Sequence, residues 1–259
     1  MSEQQEPKEA TAAAGGSAGA GQRPVCLVAG VGEKGVGEHV AAKWAKEGYS
    51  VAMLARRKAN LDALEEQIPH AKGFVCDVSK AEQVSATVAA VEEALGHVEV
   101  LVFNATSGPF KPFFETTQEE YDLALATGPS GLFAFAKAVA PGMVERGRGV
   151  IAVTGATASW RGMPTTGAKA SGNGAMRMLA QTLARDLAPR GVHVFHVVID
   201  GIIDEPRTHA WMPTKPDAEF MSPAAIADTY WHMANQPRSC WGFEINIMAG
   251  PCSGSMASI

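Results

Sequence analysis

Between positions 24 and 250, apolar residues follow two alternating rhythms. Short, nearly continuous β-branched runs predict buried strands, and stretches with an apolar residue every three or four positions predict amphipathic helices. The predicted strands are VCLVAG (25–30), SVAMLA (50–55), GFVCDV (73–78), VEVLVF (98–103), GVIAVT (149–154), VHVFHVV (192–198) and FEINIM (243–248). The first helix follows a glycine loop and stops at Gly48, and the second runs from Lys58 to Ile68. Ser79 and Glu82 have capping-box spacing ahead of Val84, Val88, Val91 and Leu95, which share one helix face. Thr117 and Glu120 repeat that spacing before a long helical segment to about Arg146, where Gly128 and Pro129 predict a kink. A helix follows from about Thr165 to Ala188, and Ser222-Pro223 opens a last one through Trp231.

Strands alternating with helices, in apolar runs too continuous for a one-sided sheet, predict an α/β fold. The expected architecture is a doubly wound, parallel, seven-stranded Rossmann sheet with helices on both faces, in a single domain over residues 23–259. Residues 1–22 are small and polar and bury too little area to offset ordering entropy, so they predict a disordered tail.

The net charge of -5 argues against nucleic acid, whose binders carry a basic stripe, and against anionic lipid. No apolar run approaches the ~20 residues of a membrane span, and the N-terminus lacks the features of a targeting peptide; the expectation is a cytoplasmic protein. The four cysteines, Cys26, Cys76, Cys240 and Cys252, form no Cys-x-x-Cys pair and read as free thiols. His193 and His196 share a strand but point to opposite faces, so no metal is expected.

The candidate chemistry begins where the first strand enters Gly30-Val31-Gly32-Glu33-Lys34-Gly35-Val36-Gly37. Gly30, Gly32 and Gly35 have G-x-G-x-x-G spacing between a strand and a helix. Such a bend lets backbone amides and the helix N-terminus approach a diphosphate. The second strand ends at Arg56-Arg57, where an acid would grip the ribose hydroxyl of NAD; arginine there suits the 2′-phosphate of NADP(H). Lys34 adds a third positive charge, although solvated surface residues would read the same.

These features resemble the short-chain dehydrogenase/reductase family over roughly residues 24–250. The matching pieces are the glycine loop, Cys76-Asp77-Val78, Phe103-Asn104-Ala105, Val198 to Gly201 and Trp241-Gly242. The resemblance implies that Asp77 and Val78 contact the adenine, that Asn104 and Ala105 line the nucleotide, and that Gly201 lies near the nicotinamide. It also implies a small-molecule substrate and assembly as a homodimer or homotetramer. The loop departs from the family's T-G-x-x-x-G-x-G at Gly30 and Val31, and Asp200-Gly201 replaces a usual Pro-Gly.

The family's Asn-Ser-Tyr-Lys tetrad is missing. Leu183-Ala184-Arg185-Asp186-Leu187 resembles the family's L-A-x-E-L and sets a gap-free register. It places Lys169 at the tyrosine position, Asn173 at the lysine, Ala156 at the serine and Gly128 at the asparagine. A second register, reading Ala168-Lys169 as Ser-Lys, puts Thr165 at the tyrosine; in neither is a tyrosine present.

Two functions remain open. One is an oxidoreductase in which Lys169 donates a proton, Asn173 orients it and Thr157 or Thr154 holds a small carbonyl, alcohol or conjugated C=C substrate. The other is a nucleotide sensor or structural subunit without catalysis, in which the glycines of Ser171-Gly172-Asn173-Gly174 admit a neighbouring helix. The segment from Ile202 to Met221, with Trp211, Met212 and Phe220, reads as a lid over an apolar substrate.

Overall fold

Val25–Ala29 (β1) is buried along its whole length, as a strand covered on both faces must be. It lies mid-sheet between Ser50–Ala55 (β2) and Val98–Phe103 (β4) in a computed structural model that describes residues 23–250. Ala71–Val75 (β3) forms one edge. Beyond β4 lie Gly149–Ala156 (β5), Val192–Ile199 (β6) and, after the two-residue pair Ile202–Ile203 (β7) and Phe220–Met221 (β8), Glu244–Ile247 (β9). The order is β3-β2-β1-β4-β5-β6-β9, every pairing parallel. The expected seven-stranded doubly wound sheet is therefore present. The expected tail, residues 1–22, lies outside the described residues, as does Cys252.

Helices Val36–Lys46 (α1), Lys58–Gln67 (α2) and Pro223–Ala234 (α8) cover one face; Trp44, Phe195 and Tyr230 fill that layer. Ala81–Leu95 (α3), Gly131–Glu145 (α5) and Gly167–Leu187 (α6) cover the other, around Phe103, Phe135 and Met176. The chain reverses its direction across the sheet between β1 and β4. Loops at the carboxyl ends of those strands diverge there and leave a crevice.

Several local expectations shift. β3 ends at Val75, because its register pairs Ala71 with Val51 and Val75 with Ala55, so Asp77 and Val78 lie in the following loop. Ser79 does not cap α3: its hydroxyl and amide both bond the Asp77 carboxylate, and Lys80 is the N-cap. The Thr117–Glu120 box does form, at the start of Gln118–Leu125 (α4). The expected kink is a π turn over Ala126–Ser130, a widened turn that accommodates the missing N–H of Pro129. The run Gln118–Glu145 has the length and apolar content of a membrane-crossing helix, contrary to expectation. Its α5 part buries Leu132, Phe135, Val139 and Met143, as a core helix does.

Gly172 admits a neighbour within the same chain. A Cβ there would come 2.9 Å from the Ala124 carbonyl oxygen, so α4 and α6 meet almost backbone to backbone. Gly174 faces open space.

Candidate active site

The crevice is a single cleft of about 1130 Å³, larger than the ~300–1,000 Å³ usual for one small ligand. Its middle is the glycine loop. Gly30 has φ +99°, and a Cβ there would fall 2.8 Å from the Ala105 amide nitrogen, so two backbones pass where no side chain fits. Gly37 is tighter still: a Cβ would lie 2.4 Å from the Gly30 oxygen. The Gly30 and Val31 amides bond the Leu54 carbonyl, which pins the loop to β2. Gly32 faces open space, and the first-turn amides of α1, including Val36 and Gly37, have no carbonyl one turn back to accept them.

Gly35, Val36, Gly37, Arg56, Arg57, Asp77, Val78, Asn104, Ala105 and Gly201 all line this cleft, as do Gly30 and Gly32. Lys34 is not among its lining residues. It sits exposed at the loop tip with φ +53°, and its amide bonds the Glu38 carboxylate at 2.6 Å. Arg56 and Arg57 are exposed at the end of β2. Burial works against the Asp77 carboxylate, but the Ser79 hydroxyl and amide, with the Arg56 charge, outweigh it and hold its pKa below the usual range.

Asn104 ties strand ends together. Its amide donates to the Gly30 oxygen at 2.8 Å, and its carbonyl accepts from the Thr154 hydroxyl at 3.0 Å. Thr154 in turn lies 2.7 Å from the buried Tyr230 hydroxyl. With the Thr154 proton on Asn104, Tyr230 is the donor in that pair. No sequence signal tied α8 to the cleft in this way; only the fold brings positions 154 and 230 together.

The other end of the cleft gathers Lys169, Asn173 and Thr157. The backbone of Gly108 presses on that of Lys169, and the Lys111 amide donates to the Thr165 oxygen at 2.9 Å, so the loop after β4 is fastened to the start of α6. Lys169 Nζ stands 5.5 Å from the centre of the Phe110 ring, within cation–π range. Burial and then the nearby Arg207 charge push the Lys169 pKa down. Asn173 does not reach the Lys169 ammonium: its amide donates to the Lys169 carbonyl oxygen at 2.8 Å and to the Thr106 hydroxyl at 3.3 Å. Phe110 and Trp211 meet at a tilt of 50° with 5.0 Å between centroids, and with Met163 and Arg161 also lining this end they give it an apolar, aromatic wall with positive charge. Trp211 belongs to Pro206–Trp211 (α7), inside the segment expected to act as a lid.

Behind the cleft, Glu244 accepts from both Arg177 Nε and Nη2 (2.6 and 2.9 Å), from the Trp160 indole (3.2 Å), and pairs with His196 Nδ1 (2.9 Å). The network anchors the turn Thr157–Ser159 to α6 and β9. Among the described residues no cluster suits a metal ion, and Cys26, Cys76 and Cys240 are unbonded to one another.

This arrangement has a counterpart in known proteins. Residues 24–215 match the model of the short chain dehydrogenase family. The chain belongs to that family. As a short chain dehydrogenase it is 32% identical to 2-(S)-hydroxypropyl-CoM dehydrogenase 3 of Xanthobacter autotrophicus, over 63% of this chain and 66% of that one. It is likewise 32% identical to L-xylulose reductase of Bos taurus, over 68% and 69%. The matched stretch thus spans about two thirds of each of these relatives. Among solved structures, a short-chain dehydrogenase from Rhodopseudomonas palustris superposes with a TM-score of 0.75 at 31% identity, covering 86% of this chain and 97% of that one. An alcohol dehydrogenase from Thermococcus sibiricus, complexed with 5-hydroxy-NADP, superposes with a TM-score of 0.78 at 27% identity, covering 88% and 97%. The family is one of nicotinamide-dependent oxidoreductases.

Proposed function

We propose that this chain is an NADP(H)-dependent oxidoreductase acting on a small carbonyl, alcohol or conjugated C=C substrate, with Lys169 in place of the usual tyrosine. One observation carries the reading. A single cleft runs from Arg56 and Arg57, past the glycine loop, to Lys169 beneath the Phe110–Trp211 pair.

The residues suit the cofactor. Arg56 and Arg57 would meet a 2′-phosphate, the loop around Gly32 and the α1 amides would take the diphosphate, and Asp77 and Val78 would border the adenine. The nicotinamide, when bound, supplies or accepts the hydride. In reduction Lys169 holds a proton at Nζ, gives it to the substrate atom that gains electrons and recovers one from solvent; in alcohol oxidation its neutral amine takes the hydroxyl proton and passes it to solvent. Its lowered pKa makes the ammonium a better acid than a solvated lysine. Asn173 fixes the backbone beneath Lys169 and so sets the path of its side chain. Phe110 and Trp211, both partly exposed rings at the mouth of this end, favour an apolar substrate body.

A second reading, a nucleotide sensor without catalysis, rests on Thr157. Its only hydroxyl proton is directed to Asp200, so it cannot donate to a substrate carbonyl. Titration with NADPH and NADH, followed by a screen of ketones, aldehydes and enones with wild type and Lys169→Ala, separates the readings. Tighter NADPH binding and turnover lost in Lys169→Ala support the enzyme. Tight NADPH binding with no turnover in either protein favours the sensor, and equal or better NADH binding overturns the role of Arg56.

A further inference from the structure

Glu205 stands in the cradle as a negative charge that the proposed function leaves unexplained. It precedes α7 and lines the same cleft as Gly32 and Gly35, and its side chain is only 13% exposed. Its Oε2 lies 3.0 Å from the point a Cβ on Gly35 would occupy, in the space the missing side chain opens. Its Oε1 accepts from Arg207 Nε at 3.1 Å and Nη2 at 2.7 Å. The arginine therefore faces one oxygen, and the other is turned toward the loop. Arg207 itself is 86% exposed, so water screens much of its compensation. Glu33 adds a second carboxylate to the lining of the loop.

A diphosphate resting on the loop amides would meet this carboxylate at close range, partly shielded from water. Like charges a few ångströms apart there repel far more strongly than in bulk solvent. We propose that Glu205 is an electrostatic brake on dinucleotide binding: a diphosphate settles in the cradle only when the Glu205 side chain turns away from Gly35. That motion also releases Arg207, which then faces the incoming phosphates with its charge unspent. The proposal rests on the dinucleotide reading of the cleft.

The test is direct binding to the full chain. Glu205→Gln keeps the shape of the side chain and removes its charge, and Glu205→Ala removes both, guarding against a fault peculiar to one variant. NADPH is one probe; adenosine 2′-monophosphate, which carries the 2′-phosphate but no diphosphate, is the other. Both variants are expected to bind NADPH about tenfold more tightly than wild type, with adenosine 2′-monophosphate unchanged. Equal NADPH affinity in wild type and variants overturns the brake but leaves the dinucleotide reading intact. Tightening of both probes alike also overturns it, since the effect would then not be local to the diphosphate. Failure of wild type and variants to bind NADPH at all overturns the dinucleotide reading itself.

Discussion

Thr157 donates its hydroxyl proton to the Asp200 carboxylate across 2.5 Å, and both residues are buried. Asp200 has no solvent exposure, and its other oxygen, Oδ2, has no hydrogen-bond partner among the described residues. Among the described residues Thr157 is thus the one side-chain donor on this carboxylate, and it holds the turn after β5 against the end of β6. Replacing it with valine keeps the shape and strips the carboxylate of that donor. We expect Thr157→Val to lose about 2 kcal/mol of stability, measured by urea denaturation. A loss within error of zero would mean that solvent or a shifted side chain satisfies Asp200.

Lys169 gives a pH signature. Only its ammonium form can donate a proton, and burial beside Arg207 lowers the pKa from 10.5. Reduction should therefore fall as pH rises, with the midpoint below the ordinary lysine value. Lys169→Ala should run at ~10²–10⁴-fold lower rate without that alkaline limb. A limb that survives the substitution would assign it to another group.

The two backbone approaches in the glycine loop make unequal demands. A methyl at position 37 would drive into the Gly30 oxygen, whereas one at position 32 meets nothing within 4 Å. Gly37→Ala is expected to lose more than 2 kcal/mol of stability and most nucleotide affinity. Gly32→Ala should keep the fold and weaken only nucleotide binding. Calorimetry on both variants checks this, and the reverse ranking would contradict the loop geometry.

Acid should loosen the far side of the sheet in two stages. Burial holds His193 and His196 below the ordinary 6.5, with Gly242 and Glu244 respectively pulling the other way. The unfolded chain then takes up protons first, so stability falls as pH drops from about 6.5 toward the depressed folded-state values. Burial opposes the Glu244 carboxylate, but Arg177 and His196 outweigh it and lower its pKa from 4.5. Its contribution is present above that value and lost as pH falls further. Glu244→Gln should cost about 2 kcal/mol at neutral pH and make the second stage shallower, as followed by Tm against pH.

The sheet was legible because each strand is a short run dominated by apolar, mostly β-branched residues and the core helices keep an apolar face. The glycine loop stood out by its fixed spacing, and a register counted back from Leu183–Leu187 pointed to Lys169, which lines the cleft. Boundaries were less readable where a side chain had two possible partners: Ser79 has the spacing of a cap, yet Asp77 two positions earlier offers a charged acceptor and takes it. Lys34 looked like a phosphate ligand by position, but a left-handed backbone turns it to the loop tip. Contacts between residues far apart in the chain carried no local signal. Tyr230 with Thr154, Glu244 with Arg177 and Glu205 beside Gly35 depend on how helices and loops pack against the assembled sheet.

One wall of the cleft is sewn in place by Gly108 against Lys169 and by the bond from Lys111 to Thr165. The opposite bank is built from residues 202–221, whose ends pair with each other as β7 and β8 and which carry the short helix α7. Trp211 belongs to that bank and meets the fastened one at the Phe110 ring, so an aromatic pair bridges the two sides of the cleft.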